Sequence, residues 1–116
     1  MDELHNKFHA AGSGDQKAEI FTRIQQLLDI IADRNIQGKE LEKQGNVQEA
    51  IKLYEQNVAD EVETPFPYER LAILYRKAGR HEDEVNILNK GIFNCDTDQS
   101  RTGYNWMQKR LEKIVK

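Results

Sequence analysis

Cysteine occurs once in this sequence, at Cys95, and proline twice, at Pro65 and Pro67. A single thiol excludes an intramolecular disulfide framework. With no second cysteine and no Cys/His spacing around it, a zinc site is not expected either. Cys95 is expected to be an inert, buried or half-buried thiol. No apolar run is long enough to span a bilayer, and no apolar signal region follows Met1. The chain is therefore expected to be cytoplasmic, with no membrane contact. Alternating Val, Thr and Ile patterns are scarce, which points away from sheet. A Gly-rich phosphate loop, a nucleophile with a base at motif spacing and a paired His/carboxylate metal set are all missing. Ser13 and Ser100 have no signature around them. No enzyme activity, catalytic residue, cofactor or metal ligand is expected. His5 and His9 sit four apart, a spacing that can hold a metal on a helix face, but no carboxylate or Cys ligand pattern accompanies them.

What remains is a polar chain of 116 residues, 32% charged and 38% apolar, which fits one small domain rather than a disordered segment. Formal net charge is −3 and unevenly placed. From Asp98 onward five basic residues (Arg101, Lys109, Arg110, Lys113, Lys116) face two acidic ones (Asp98, Glu112), so the tail carries +3 and the rest −6. A basic last helix suits its own C-terminal dipole. It would also suit an anionic partner, and a nucleic-acid-associated regulatory role is the alternative function. The acidic bulk of the chain argues against it.

Residues 1–14 are expected to be flexible or weakly helical. Met1, Leu4, Phe8 and Ala11 have helical spacing, and Gly12-Ser13-Gly14 then breaks it. Residues 15–116 are expected to form one helical domain. Asp15 is a candidate cap for a helix starting near Gln16. Ile20, Ile24, Leu27, Leu28 and Ile31 form an apolar stripe that Phe21 widens. Neither Pro nor Gly interrupts until Gly38. One helix therefore runs to about Gly45, spanning about 45 Å, or it bends near Asp33–Asn35 into two.

From Gly38 the pattern repeats. An offset of 34 residues links Gly38 to Ala72, Leu41 to Tyr75, Gly45 to Gly79 and Tyr54 to Leu88. Gly45 and Gly79 read as helix-ending turns, because glycine takes the left-handed conformation there. The small residues Gly38 and Ala50 let paired helices approach. Leu53, Tyr54 and Val58 fill the contact, and the second helix covers about Val47–Asp60. Thr64-Pro65 reads as a cap with proline in the first turn. The next helix carries Tyr68, Leu71, Ala72, Leu74 and Tyr75. The one after carries Val85, Ile87, Leu88 and Ile92 and ends near Asn94. His81, at its start, is expected to be half-buried. Asp96-Thr97-Asp98 caps a last helix from about Gln99 to Val115, which docks through Tyr104, Met107, Leu111 and Ile114. Trp106 lies off that stripe, as packing or as an exposed anchor.

A period of about 34 residues built from helix–turn–helix units resembles the tetratricopeptide repeat (TPR) family. The resemblance covers two repeats, about residues 31–64 and 65–98, with 99–115 as a capping helix. It departs from the family pattern in three places. Arg34 and Tyr68 replace the usual tryptophan, Glu84 stands where the first repeat has Ala50 and so loosens the helix contact, and Val62 replaces the closing proline. The resemblance implies an all-α fold of antiparallel helix hairpins, stacked as a short right-handed solenoid with capping helices at both ends. It also implies a protein–protein adaptor that binds a peptide or partner helix in a concave groove. The groove residues would be Asn35, Lys39, Glu42 and Lys43, then Glu69, Ile73, Arg76 and Lys77. Such a groove suits an acidic or carboxylate-ended segment with an apolar anchor near Ile73. The carboxylate clamp of the chaperone-binding members is not reproduced. Two repeats are few for an independent array, so a homodimer through Ile20, Ile24 and Leu27, or a purely structural dimer, is a further expectation.

Overall fold

Residues 14–115 are described by the computed structural model of the chain. Among them are five helices and no strand: α1 (Gly14–Lys43), α2 (Val47–Ala59), α3 (Pro65–Lys77), α4 (His81–Asn94) and α5 (Arg101–Val115). His5, His9 and the spaced apolar positions before Gly12 lie outside the described residues. α1 already includes Gly14 and Asp15, so Asp15 lies within the helix rather than ahead of it. One glycine costs a helix about 1 kcal/mol against alanine and does not stop it. Through Asp33–Asn35 the helix is unbroken, 30 residues in all. The chain divides between Asp33 and Arg34 into two compact units.

In the first unit Ile20 is 2% exposed, and Ile24 and Ile31 are half-buried. Phe21, Leu27, Leu28 and Ile30 face solvent. Of the three residues expected to form a dimer stripe, Ile20 is buried, Ile24 half-buried and Leu27 exposed. Apolar periodicity marks a face that is buried, without saying which chain buries it.

The second unit is organised by two glycine turns. At Gly45, φ is 83°, and at Gly79 it is 74°. Each closes the preceding helix in the same way. Asn46 N–H donates to Leu41 O (2.8 Å) and Gly45 N–H to Glu42 O (3.1 Å); Arg80 N–H donates to Tyr75 O (2.8 Å) and Gly79 N–H to Arg76 O (3.1 Å). This is the paired hydrogen-bond pattern that satisfies orphan carbonyls at a helix end. Between the turns, Thr64 is extended and Pro65 opens α3, although the Thr64 side chain makes no capping hydrogen bond.

The helices pack α2 on α3, α3 on α4 and α4 on α5, with α5 also reaching α3. Ala50, Ile51, Tyr54 and Val58 of α2 are buried, as are Tyr68, Leu71, Ala72, Leu74 and Tyr75 of α3. Ile87 and Leu88 of α4 and Met107 of α5 complete the core, while Leu53, Val85, Ile92, Tyr104, Leu111 and Ile114 are half-buried at its edge. Three glycines make close approaches possible, Gly103 against Pro65 among them. A Cβ on Gly38 would lie 2.5 Å from Tyr54 Cε1, and one on Gly91 would strike Met107 Sδ and the Tyr68 side chain. Tyr68 donates its hydroxyl to the buried Val62 carbonyl at 2.7 Å. Arg34 donates to Asn57 Oδ1 (3.2 Å) and Asp60 Oδ2 (2.6 Å).

Three further expectations change. Glu84 does not loosen the packing: it is 2% exposed and accepts from Arg110 Nε of α5 at 2.8 Å. Where the first repeat has a methyl group, the second has a buried ion pair. His81 is exposed rather than half-buried. α5 begins at Arg101, two residues late, because Ser100 belongs to the turn. Its N–H donates to the Thr97 hydroxyl (3.2 Å), and its own hydroxyl donates to Glu63 O (2.9 Å).

Candidate functional site

Lys39 and Lys43 are four residues apart on α1, and Phe66 and Arg70 are four apart on α3, so each pair shares a helix face. Together with Glu42 they line a cleft of about 240 Å³ between the two helices. The Phe66 ring is half-buried, with its neighbour Tyr54 edge-on at 5.9 Å between centroids. Lys39 Nζ lies 5.7 Å from the centre of the Phe66 ring. Glu42 ties the wall together. It accepts from the Tyr54 hydroxyl (2.6 Å), from Arg70 Nε (3.1 Å) and from Arg70 Nη2.

Burial by itself would raise the Glu42 carboxyl, but hydrogen bonds from Arg70 and Tyr54 and the charges of Arg70 and Lys77 outweigh it and hold the group below its ordinary value. The Arg70 guanidinium is raised, first by its hydrogen bond to Glu42. A carboxyl depressed in the folded state adds stability above its unfolded pKa and loses it as pH falls through the folded one. Wild type should therefore lose stability in acid more steeply than Glu42→Gln, with the difference opening below the ordinary carboxylate value. Urea unfolding across that range measures it, and parallel profiles would remove Glu42 as the cause.

The residues expected in the groove do not all meet there. Lys39 and Lys43 do, and Lys77 is near enough for its charge to act on Glu42. Among the described residues none of these three lysines forms an ion pair, and Glu42 is taken by Arg70. Asn35 is turned instead toward α2, where its Oδ1 accepts from Asn57 Nδ2 at 2.9 Å. Glu69 faces α5, so near that a Cβ on Gly103 would lie 2.7 Å from its Oε1. Burial pushes its carboxyl up, with Arg70 acting weakly the other way. Ile73 is half-buried, and Arg76 is exposed. Phe66, Arg70 and Tyr54 are the site residues that sequence reasoning missed. The available signal was an aromatic outside the core stripe, directly after Pro65 and one turn before an arginine.

A second cavity, about 260 Å³, lies over Val58, Leu71 and Ile87, with Glu55, Tyr75 and Asp83 at its rim. Part of its polar rim is paired internally. The Tyr75 hydroxyl donates to Glu55 at 2.6 Å, and Arg80 pairs with Asp83 at 2.7 Å while its guanidinium stacks 4.5 Å from the Tyr75 ring centre. Burial and the Glu55 hydrogen bond both push the Tyr75 hydroxyl up.

On α5, Arg101 pairs with Asp96 (2.9 Å) and Arg110 with Glu84, which leaves Lys109 and Lys113 as its exposed cations. Trp106 is 38% exposed, so it is neither core nor a fully presented anchor. Cys95 is buried, and burial, then the Glu69 and Glu63 charges, push its thiol up to about 11. A thiol in that state is a poor nucleophile. No three His, Cys, Asp or Glu side chains gather as a metal site among the described residues, and no helix there is long and apolar enough to cross a membrane. Compared with known proteins, the chain matches no family model, no curated protein and no solved structure.

Proposed function

We propose that this chain is a protein-binding module, a short TPR-like helical array that holds a segment of another protein along the α1/α3 face. The observation that carries the reading is the cleft itself: a half-buried aromatic ring flanked by lysines that no other described segment covers. An apolar wall with a few placed polar groups is the make-up of a binding cleft. The paired glycine turns 34 residues apart support the array reading. In that arrangement α1 and α3 are the equivalent first helices of two units, and the α5 cap completes the burial that two units lack. Two of the four arginines and lysines on α5 are engaged within the fold, so a nucleic-acid role through that helix has less charge to draw on than the sequence suggests.

The test is affinity capture with the full chain, followed by mass spectrometry, using wild type beside Lys43→Glu and Arg76→Glu/Lys77→Glu. These positions are exposed and outside the core, so the variants keep their helical circular dichroism. A discrete protein partner lost from both variants is the expected result. Nucleic acid recovered instead, equally by all three and removed by salt, would overturn it.

A further inference from the structure

The cleft has a composition that selects among protein segments. We propose that its occupant is an extended acidic segment that places one aliphatic or aromatic side chain against Phe66, with flanking carboxylates on Lys39, Lys43 and Lys77. This rests on the protein-binding reading above and names the partner's chemistry. Three observations carry it.

The first is charge. Arg70 is neutralised by Glu42 inside the wall, and Glu69, the other acid on this side of α3, is turned to α5. The lysines are what the cleft offers outward, in a chain whose net charge is −3. Lysine ammoniums are point charges that take single carboxylates without imposing a planar fork. The second is size. About 240 Å³ is below the ~300–1,000 Å³ of a small-molecule site and matches one large side chain rather than a cofactor. The third is the ring. Phe66 is held edge-to-face by Tyr54, and Lys39 sits over it. Lys39, over the ring, is placed to pair with an anion beside it. A carboxylate drawing Lys39 aside opens that ring to an adjoining apolar side chain. The anchor point is thus Phe66, one turn before Arg70, and not Ile73.

Fluorescence anisotropy with the full chain tests this. The probe is a short labelled peptide of glutamates around a central leucine. Its controls are the same peptide with serine for leucine, the same peptide with glutamine for the glutamates, and a labelled oligothymidine. The first probe is expected to bind best. The serine and glutamine controls, and separately the Lys39→Glu/Lys43→Glu variant, should each weaken binding by roughly tenfold. Phe66→Ala should do the same while keeping its helical circular dichroism. If that variant unfolds, the serine control reads the anchor on the intact protein. Equal binding of the leucine and serine peptides, or oligothymidine binding as tightly as the acidic peptide, overturns the proposal. Capture of a partner that depends on Lys43, Arg76 and Lys77, with no preference for the acidic peptide, would leave the protein-binding reading standing and sink this one alone.

Discussion

Arg110→Ala is expected to destabilise the fold by about 3–5 kcal/mol, and Glu84→Ala by less. The two carboxylate and guanidinium groups lose the same 2.8 Å contact, but what is left behind differs. The Glu84 side chain is 2% exposed and the Arg110 side chain 19%. Removing Arg110 strands a carboxylate away from water, whereas removing Glu84 leaves a guanidinium that still reaches solvent through its long stem. The loss is a large share of the roughly 5–15 kcal/mol a small domain has in total. Replacing both at once, Glu84→Leu with Arg110→Met, should recover most of it, because two apolar groups of similar volume need no desolvation of charge. Urea unfolding of the four proteins measures these differences. Equal, sub-kilocalorie effects of the two single changes would show that the pair is hydrated and not part of the core. The same pair fastens α5 to α4, so Arg110→Ala should also expose α5 to limited proteolysis before the rest of the unit opens.

Gly38→Ala should be harmful in the wild type and helpful in a Tyr54→Ala background. In the wild type the added Cβ meets the Tyr54 ring at 2.5 Å from Cε1. The ring is fully buried, so it has little room to move, and overpacking of this kind costs about 1–3 kcal/mol. Tyr54→Ala alone removes a buried aromatic and should cost about 3–5 kcal/mol. It also removes the hydroxyl that supports Glu42, so the cleft wall loosens with it. Once the ring is gone, the three atoms nearest the added methyl go with it, and alanine exceeds glycine in a helix by about 0.5–1 kcal/mol. The sign of the Gly38 effect therefore reverses with the residue at position 54. A double-mutant cycle reads this directly. A Gly38→Ala effect of the same sign in both backgrounds would mean that Tyr54 is not what this glycine accommodates.

Much of the helical layout was legible in the sequence, and the particular residues show why. Gly45 and Gly79 marked the two helix ends because only glycine takes those dihedral angles without cost. Pro65 marked the start of α3 because its missing N–H is harmless there. The periodic apolar residues of α3 were all found buried. The candidate site was legible only in part. Lys39 and Lys43 were identified from their helix face, but Asn35, on the same helix, is spent on Asn57, and Glu69 is spent on the approach to α5. Phe66 and Arg70 were passed over because neither repeats at the position 34 residues earlier. Of the apolar stripe on α1, Ile20 is buried while Leu27 and Leu28 stay exposed, a difference that periodicity alone does not mark.

The sequence by itself determined the two glycine-closed helix ends, the proline-opened start of α3 and the apolar face of that helix. Those properties follow from dihedral preferences and hydrophobic period, which act over a few neighbouring residues. Tertiary structure decided which charge meets which. Glu84 looked like a defect until Arg110, 26 residues away, was brought to it, and Glu42, expected to face the groove, is bound by Arg70 from another helix. Electrostatic pairing depends on distance through space and on the loss of water around both groups, and neither is encoded in spacing along one helix.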